Sequence, residues 1–236
     1  MICRIGRIGG LLGLALLFAA QPLRAAGEDA CEQLPKPSVT VKRLEEPAIR
    51  YNTGYGYRTL SNIGRDKLQP GSQILGLTRT QSVAQFSLTT PALVDASRRY
   101  ECASPQITLS IGFRQMTVYV GKEFPVGSCA YKEILEHEMR HVKAYQDHLA
   151  AVEKVVQQDI ARRFASDGIW RGEAGGSLAR VSRELDERWL PYVNRELRKV
   201  DEAQSLIDAP EEYARLAEAC NGEIRKLTGG SGANAP

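Results

Sequence analysis

Residues 129 to about 166 contain no proline and no glycine and are rich in alanine, glutamate, lysine, glutamine and valine. Such a composition favours a continuous helix, because it lacks the two residue types that most strongly interrupt helical hydrogen bonding. The sequence therefore predicts one long helix here, or two helices nearly end to end.

On a helical wheel, this segment has one apolar stripe with a carboxylate in its middle. The apolar members of the stripe are Ile134, Tyr145, Leu149, Val152 and Val156. Glu138 falls within the stripe, and His137 and His141 lie at its edge, one turn apart. Because burying a carboxylate is costly without a compensating partner, Glu138 indicates a functional site.

His137 and His141 have the spacing at which two imidazoles can reach one tetrahedral zinc ion. Zinc polarises a peptide carbonyl and lowers the pKa of water to about 7. Glu138 would act as the general base and then as the general acid toward the leaving amine. The alternative is a solvated helix face, on which Glu136 and Arg140 form an ordinary ion pair.

The segment His137-Glu138-Met139-Arg140-His141 resembles the signature of the zincin metallopeptidases. The wider stretch GSCAYKEILEHEMRHV is similar to a group of secreted bacterial proteins predicted to be zinc-dependent proteases. The resemblance implies a zinc cofactor and a core in which strands precede the active-site helix. It also implies an edge strand that pairs with extended substrate, and MTVYVGKEF is the stretch that resembles it.

The third metal ligand is not evident near the histidines. In metzincins it lies ten residues after the first histidine, beyond a glycine, but those positions here are Asp147 and Ala144. A continuous helix would place Asp147 about 15 Å from His137 along its axis. His148 would lie about 10 Å beyond His141, so we interpret it as a surface residue or an outer partner of the site.

Other zincins take the third ligand from a second helix. If the helices on either side of SDGIWRGEAGGS pack antiparallel, residues 200–205 lie level with residue 139. Asp201 flanks the apolar face there and is the predicted third ligand, with a solvated carboxylate as the alternative. The fallback ligands are Glu173, Asp186 and Glu187. The tyrosines that could donate to an oxyanion, each with plain packing as the alternative, are Tyr145, Tyr192 and Tyr213.

The chain before the long helix has a sequence pattern typical of strands and turns. Residues 38–127 read as short strands and turns, and QITLSIGFRQMTVYVGKEFP alternates most clearly. Apolar residues recur from Ile107 to Phe113 and again from Met116 to Val120. We interpret this stretch as two strands that could form a hairpin.

The remaining helices complete an α+β fold class. A second helical run is predicted from about Leu178 to Ile207 with a kink at Pro191, and a short helix from the capped start at Asp208 to about Cys220. We predict a single zincin-like domain over residues 26–228. Its β-rich part covers 38–127, and its helical part covers 129–220 with an antiparallel helix pair. A flexible tail follows at 229–236.

The first 25 residues are predicted to be a secretory signal peptide, since a basic start precedes about ten apolar residues and small residues near Ala25. That run is too short to span a bilayer, so the chain is expected to be periplasmic or secreted, without membrane insertion. Removing Arg4, Arg7 and Arg24 reduces 31 basic residues to 28, against 28 acidic residues. This neutral balance offers no electrostatic reason to expect nucleic acid or an anionic membrane as partner.

Four cysteines remain after Cys3 is removed with the signal. In an exported chain they are expected to form two disulfides, with three pairings open. The absence of Cys-x-x-Cys spacing disfavours a four-cysteine zinc site. The cysteines are Cys31, Cys102, Cys129 and Cys220.

The sequence thus predicts an exported zinc-dependent endopeptidase acting on a protein or peptide. His137, His141 and Asp201 are the expected ligands, and Glu138 is the expected catalytic residue. A cell-wall peptide hydrolase is one alternative. The other is a non-catalytic helical-hairpin binding protein with a degenerate site, which would lack any carboxylate within hydrogen-bonding distance of both imidazoles.

Overall fold

The computed structural model describes residues 30–45, 48–67, 73–95 and 97–228. Helices and strands are both present, which confirms the α+β class. The predicted signal peptide and C-terminal tail lie outside the described residues. The strands are β1 Ser38–Arg43, β2 Arg50–Asn52, β3 Gly76–Thr89, β4 Ala92–Val94, β5 Tyr100–Ala103, β6 Gln106–Val120 and β7 Trp170–Glu173. The helices are α1 Tyr57–Ile63, α2 Cys129–Phe164, α3 Ser177–Glu184, α4 Leu190–Arg198, α5 Val200–Ile207 and α6 Pro210–Leu227.

The main sheet is built around β6. This strand pairs in parallel with β1 and β2, which lie at its two ends, and antiparallel with β3 along its whole length. Among the described strands, β3 has no partner on its other side, so it forms an edge of the sheet. Strands β1 to β6 all precede the long helix α2, which is the predicted order.

The stretch interpreted as two strands is a single strand with a bulge. Gln115 has a left-handed backbone (φ 56°), and between Arg79 and Gln81 the register against β6 moves from Thr117 to Arg114. The extra residue on β6 switches which positions face inward. This is why the buried apolar positions change from odd numbers up to Phe113 to even numbers from Met116. The hairpin interpretation was wrong because a bulge produces the same change of phase.

The long helix α2 forms in one piece over 36 residues. Ser128 caps its start by accepting a hydrogen bond from the Tyr131 N–H at 3.1 Å. Its buried face contains the whole predicted apolar stripe together with His137, Glu138 and His141. This face packs on β6 and on the helices that follow, in one shared core that includes Ile111, Val152 and Leu197.

The second helical run is interrupted more than the sequence predicted. Between α3 and α4 the chain makes a π-helical turn, Leu185–Trp189, just before Pro191. Proline has no N–H for the helical ladder, and the wider turn accommodates this loss. The run breaks again at Lys199, before α5, and α6 begins at Pro210. Within α6 the residues Ala219 to Gly222 leave the helical conformation.

A second, three-stranded sheet in the order β4-β5-β7 joins the two parts of the chain. Its strand β7 lies in the stretch that the sequence placed in a turn between helices. Two disulfides settle the pairing that the sequence left open: Cys31 bonds to Cys102, and Cys129 bonds to Cys220. Within the described residues, every helix is too short or too polar to cross a membrane.

Candidate metal centre

The two imidazoles of α2 point toward the same space. The Nε2 atoms of His137 and His141 lie 3.1 Å apart, and both side chains are buried. Consecutive turns of one helix produce this convergence, as the four-residue spacing predicted. With Glu138 between them, the three side chains bring ligand atoms within 4.8 Å of one another and could hold a metal ion.

The carboxylate nearest to both imidazoles belongs to Asp208. Its Oδ1 atom lies 3.2 Å from Nε2 of His137 and 3.1 Å from Nε2 of His141. Asp201, which the sequence favoured as third ligand, is exposed and does not line the site. The structure therefore assigns the position of the candidate third ligand to Asp208 in place of Asp201.

The position of Asp208 follows from how the second helical run is broken. Gln204 occupies the buried face of α5 opposite His141, which puts Asp201 about one helical turn too far along α2. Asp208 lies in the short link between α5 and α6. Ala209 is the N-cap residue of α6, so the Asp208 side chain is not used as a helix cap and turns to the histidines instead.

The three converging atoms form a nearly equilateral triangle with sides of 3.1, 3.1 and 3.2 Å. In a tetrahedral zinc site with bonds of about 2.0–2.2 Å, two donor atoms are separated by roughly 3.3–3.6 Å. The triangle falls within a few tenths of an ångström of that separation. Two imidazole nitrogens and one carboxylate oxygen are also a donor set that suits zinc.

Hydrogen bonds on the far side of each ring fix which nitrogen faces the centre. Nδ1 of His141 donates to Oε1 of Gln204, whose amide donates in turn to the His141 carbonyl at 3.2 Å. Nδ1 of His137 lies 3.3 Å from Oε1 of Glu212 and 3.0 Å from a guanidinium nitrogen of Arg140, which binds that same carboxylate oxygen. These contacts orient both rings with Nε2 toward Asp208. Two Nε2 atoms and a carboxylate oxygen therefore face one another, an arrangement that suits a cation.

The pKa shifts of two carboxyl groups at the centre agree with this arrangement. Burial opposes ionisation of Asp208, but hydrogen bonds with His137 and His141 outweigh it and lower the pKa of this carboxyl. Arg215 and Arg140 overcome partial burial and lower the pKa of Glu212 to about 2. Both carboxyl groups are therefore ionised at neutral pH.

Glu138 lies beside the triangle and is nearly inaccessible, with 3% of its surface exposed. Its predicted place inside the apolar stripe is confirmed. The hydroxyl of Thr78 donates to Oε2 of Glu138 at 2.8 Å. Burial raises the pKa of this carboxyl, although His141 and His137 partly offset the effect. A carboxylate whose pKa is raised is a stronger base than an ordinary one, which suits a proton acceptor.

A narrow pocket of about 60 Å³ opens onto these groups. This volume holds a small ion and water, since one water occupies about 30 Å³ in the liquid. One wall is the start of β3, from Gly76 to Thr78. The edge strand beside the site is thus β3, whereas residues 116–120 of MTVYVGKEF belong to the central strand β6, which is paired on both sides. The expectation that MTVYVGKEF is the edge strand is corrected accordingly.

Two of the three tyrosines considered as oxyanion donors line the pocket. Tyr213 hydrogen-bonds to Asp208, and burial together with the Asp208 charge raises its pKa. Tyr145 packs edge-on against Phe113, with ring centroids 4.8 Å apart. Tyr192 lies elsewhere, with its hydroxyl on Asp159.

The other polar residues that the sequence raised lie away from the centre. Nε2 of His148 contacts the Glu196 carbonyl oxygen at 2.8 Å. Asp147 forms a surface ion pair with Lys143. Glu136 is exposed, and Arg140 pairs with Glu212 in its place. The three fallback ligands are all exposed: Glu173, Asp186 and Glu187.

Sequence reasoning missed Asp208, Gln204 and Glu212. Asp208 was recognised, but only as part of the capped start of the last helix. Gln204 was visible as the single polar residue on the apolar face of the second helix, a signal of the same kind as Glu138.

Comparison of the chain with protein-family models, with curated proteins and with solved structures gives no match in any of the three. The functional interpretation of the centre therefore depends on its residues and their geometry.

Proposed function

We propose that this protein is an exported zinc-dependent peptidase. The observation that carries the proposal is the triangle of His137 Nε2, His141 Nε2 and Asp208 Oδ1, with sides of 3.1 to 3.2 Å, beside a buried glutamate. These three side chains would hold the metal. Zinc, when bound, supplies a Lewis acid that polarises a carbonyl and acidifies water.

The roles of the protein groups follow from their positions. Glu138 accepts a proton from water at the mouth of the pocket and passes it to the leaving amine. Thr78 orients the Glu138 carboxylate through its 2.8 Å hydrogen bond. Gln204 and Glu212 hold the two rings so that their Nε2 atoms face inward.

Substrate approach is supported by the exposed backbone of an edge strand. The free side of β3 begins at Gly76, directly beside the pocket, and an extended peptide can add to such an edge through main-chain hydrogen bonds. A protein or an unfolded peptide is therefore the proposed substrate. The two disulfides agree with export to an oxidising compartment, either periplasmic or extracellular.

The non-catalytic alternative is less well supported. A degenerate site would lack a carboxylate within hydrogen-bonding distance of both imidazoles, and Asp208 occupies that position. A cell-wall peptide as substrate stays an alternative within the same chemistry.

The decisive experiment compares the mature protein with Glu138→Gln. We expect about one zinc ion in each by metal analysis, and cleavage of a peptide library by the parent alone. Chelation should abolish that cleavage, and added zinc should restore it. A parent protein that binds no zinc, or a Glu138→Gln variant that cleaves as well as the parent, would contradict the proposal.

A further inference from the structure

A second cavity lies toward the C-terminal end of α2, away from His137 and His141. Its volume is about 560 Å³, within the range of small-molecule pockets. Arg162 lies about 32 Å from His141 along the helix axis. The lining residues, which we call the arginine cleft, are Asp159, Arg162, Arg163, Arg188, Trp189, Tyr192 and Arg195.

The positive charge of the arginine cleft is only partly neutralised. Arg163 is held by Glu184 through two hydrogen bonds of 2.8 and 2.7 Å, which accounts for both charges. Asp159 lies 3.4 Å from Arg162 and also accepts from the Tyr192 hydroxyl. The four arginines carry four positive charges, and Asp159 and Glu184 carry two negative charges, so the net charge of the group is +2.

Two guanidinium groups are available to a ligand. Arg188 is 70% exposed and reaches Glu184 only at 4.0 Å. Arg195 is exposed and lies over the Tyr192 ring at 5.8 Å, and in the described part of the chain it makes no salt bridge. Nearby acids do not neutralise it, since Glu196 pairs with Lys199 at 2.7 Å. The exposed Asp186 and Glu187 do not line the cleft.

The backbone positions these groups through the π-helical turn. Arg188 and Trp189 lie in that turn, and Tyr192 and Arg195 follow on the same face of α4. Single π turns inside helices occur frequently at functional sites. Basic residues at the end of α2 alone would be explained by the helix dipole, but Arg188 and Arg195 come from a different element.

We propose that the arginine cleft binds a phosphate-monoester group. Such a group carries nearly two negative charges and three acceptor oxygens, which match the residual charge of the cleft. All the cations are arginines, whose planar forks bind phosphate in a bidentate manner. The balanced charge of the predicted mature chain gave no reason to expect an anionic partner, because a net charge does not reveal a local excess of positive charge. The site is independent of the metal centre.

The test measures binding of two probes to the mature protein. Glycerol 3-phosphate is titrated by calorimetry, and vesicles of phosphatidylcholine with and without phosphatidic acid are tested by sedimentation. We expect binding in at least one arm, and the double variant Arg188→Gln/Arg195→Gln should weaken it by about tenfold for each guanidinium lost. Binding of glycerol 3-phosphate indicates a soluble ligand, and binding of the acidic vesicles alone indicates a lipid headgroup.

Matched variants separate recognition from general charge. Arg50→Gln/Arg114→Gln removes two exposed arginines from the main sheet and should leave binding unchanged. Arg188→Lys/Arg195→Lys keeps the charge but loses the fork, and should bind with intermediate affinity. Circular dichroism and zinc content verify that each variant is folded. The proposal is overturned if neither probe binds, if both double glutamine variants weaken binding equally, or if succinate binds as tightly as glycerol 3-phosphate.

Discussion

Gly76 in β3 faces Glu138 in α2 with no room for a side chain between them. A methyl group on Gly76 would lie 2.5 Å from Oε1 of Glu138 and 2.7 Å from Cγ2 of Ile134. Here the absence of a Cβ atom allows the strand to reach the buried carboxylate. The same approach brings Thr78 within hydrogen-bonding distance of Glu138.

Gly76→Ala should therefore displace Glu138 without touching the proposed metal ligands. We expect peptidase activity to fall by about a hundredfold, because a general base displaced by about 1 Å loses its geometry. Zinc content should stay near that of the parent. Gly172→Ala is the matched control, since its added methyl group would meet only Arg180 at 3.8 Å. Equal activity in the two variants would contradict this role of Gly76.

Asp208→Ala should lose zinc, whereas Asp201→Ala should not. Asp208 supplies an oxygen at the centre of the site, and Asp201 is exposed. We expect a loss of affinity for Asp208→Ala above the 10- to 100-fold typical of outer partners. Competition with a zinc-binding dye measures both variants. Loss of zinc in Asp201→Ala alone would restore the original assignment from the sequence.

Gln204→Leu should weaken zinc binding while the fold survives. Its side-chain oxygen accepts from Nδ1 of His141, so its loss frees the ring whose Nε2 atom faces inward. We expect zinc affinity to fall by about 10- to 100-fold. The leucine fits the buried face of α5, and thermal unfolding in the absence of metal serves as the control. An unchanged affinity would show that the ring needs no such support.

Glu101 should make part of the stability depend on pH. This carboxyl is 7% exposed and accepts from the N–H groups of Gly175 and Ser177 at 2.8 and 2.7 Å. Burial opposes its ionisation, but these hydrogen bonds prevail and hold its pKa below the ordinary value of 4.5. Because the folded pKa is lowered, the stabilisation is present above pH 4.5 and is lost as pH falls through the folded pKa.

Denaturant unfolding of the parent and of Glu101→Gln at several pH values measures this contribution. We expect the variant to be less stable at neutral pH by about 1–3 kcal/mol. Each N–H group binds a different carboxylate oxygen, and the amide nitrogen that replaces one of these oxygens cannot accept a hydrogen bond. The difference should narrow in acid. A gap that is independent of pH would instead indicate a packing effect.

The sequence predicted those features that depend on local spacing. The length of α2, its apolar stripe, the buried Glu138 and the facing pair His137 and His141 all follow from a period of 3.6 residues, and all are confirmed. Identifying the third carboxylate depends on knowing which residues of two packed helices lie level with each other. Counting residues along one helical run with only a kink at Pro191 led to Asp201, because neither the π turn before Pro191 nor the break at Lys199 has a local signal of sufficient strength.

The sheet was predicted less well for a related reason. A change of phase in alternating apolar residues can mean a turn or a bulge, and only the pairing of β3 along the whole of β6 decides between them. The same pairing identifies the edge strand. Long-range partners of this kind, like the bond between Cys31 and Cys102, are not encoded in any single stretch.

The bond between Cys129 and Cys220 has a consequence for the timing of maturation. It attaches the helix that carries Glu212 and Tyr213 to the first residue of the helix that carries the histidines. While the two thiols stay reduced, only non-covalent contacts hold these groups together. If the proposed exported peptidase is correct, this part of the centre would receive its covalent support only after oxidation of the two thiols.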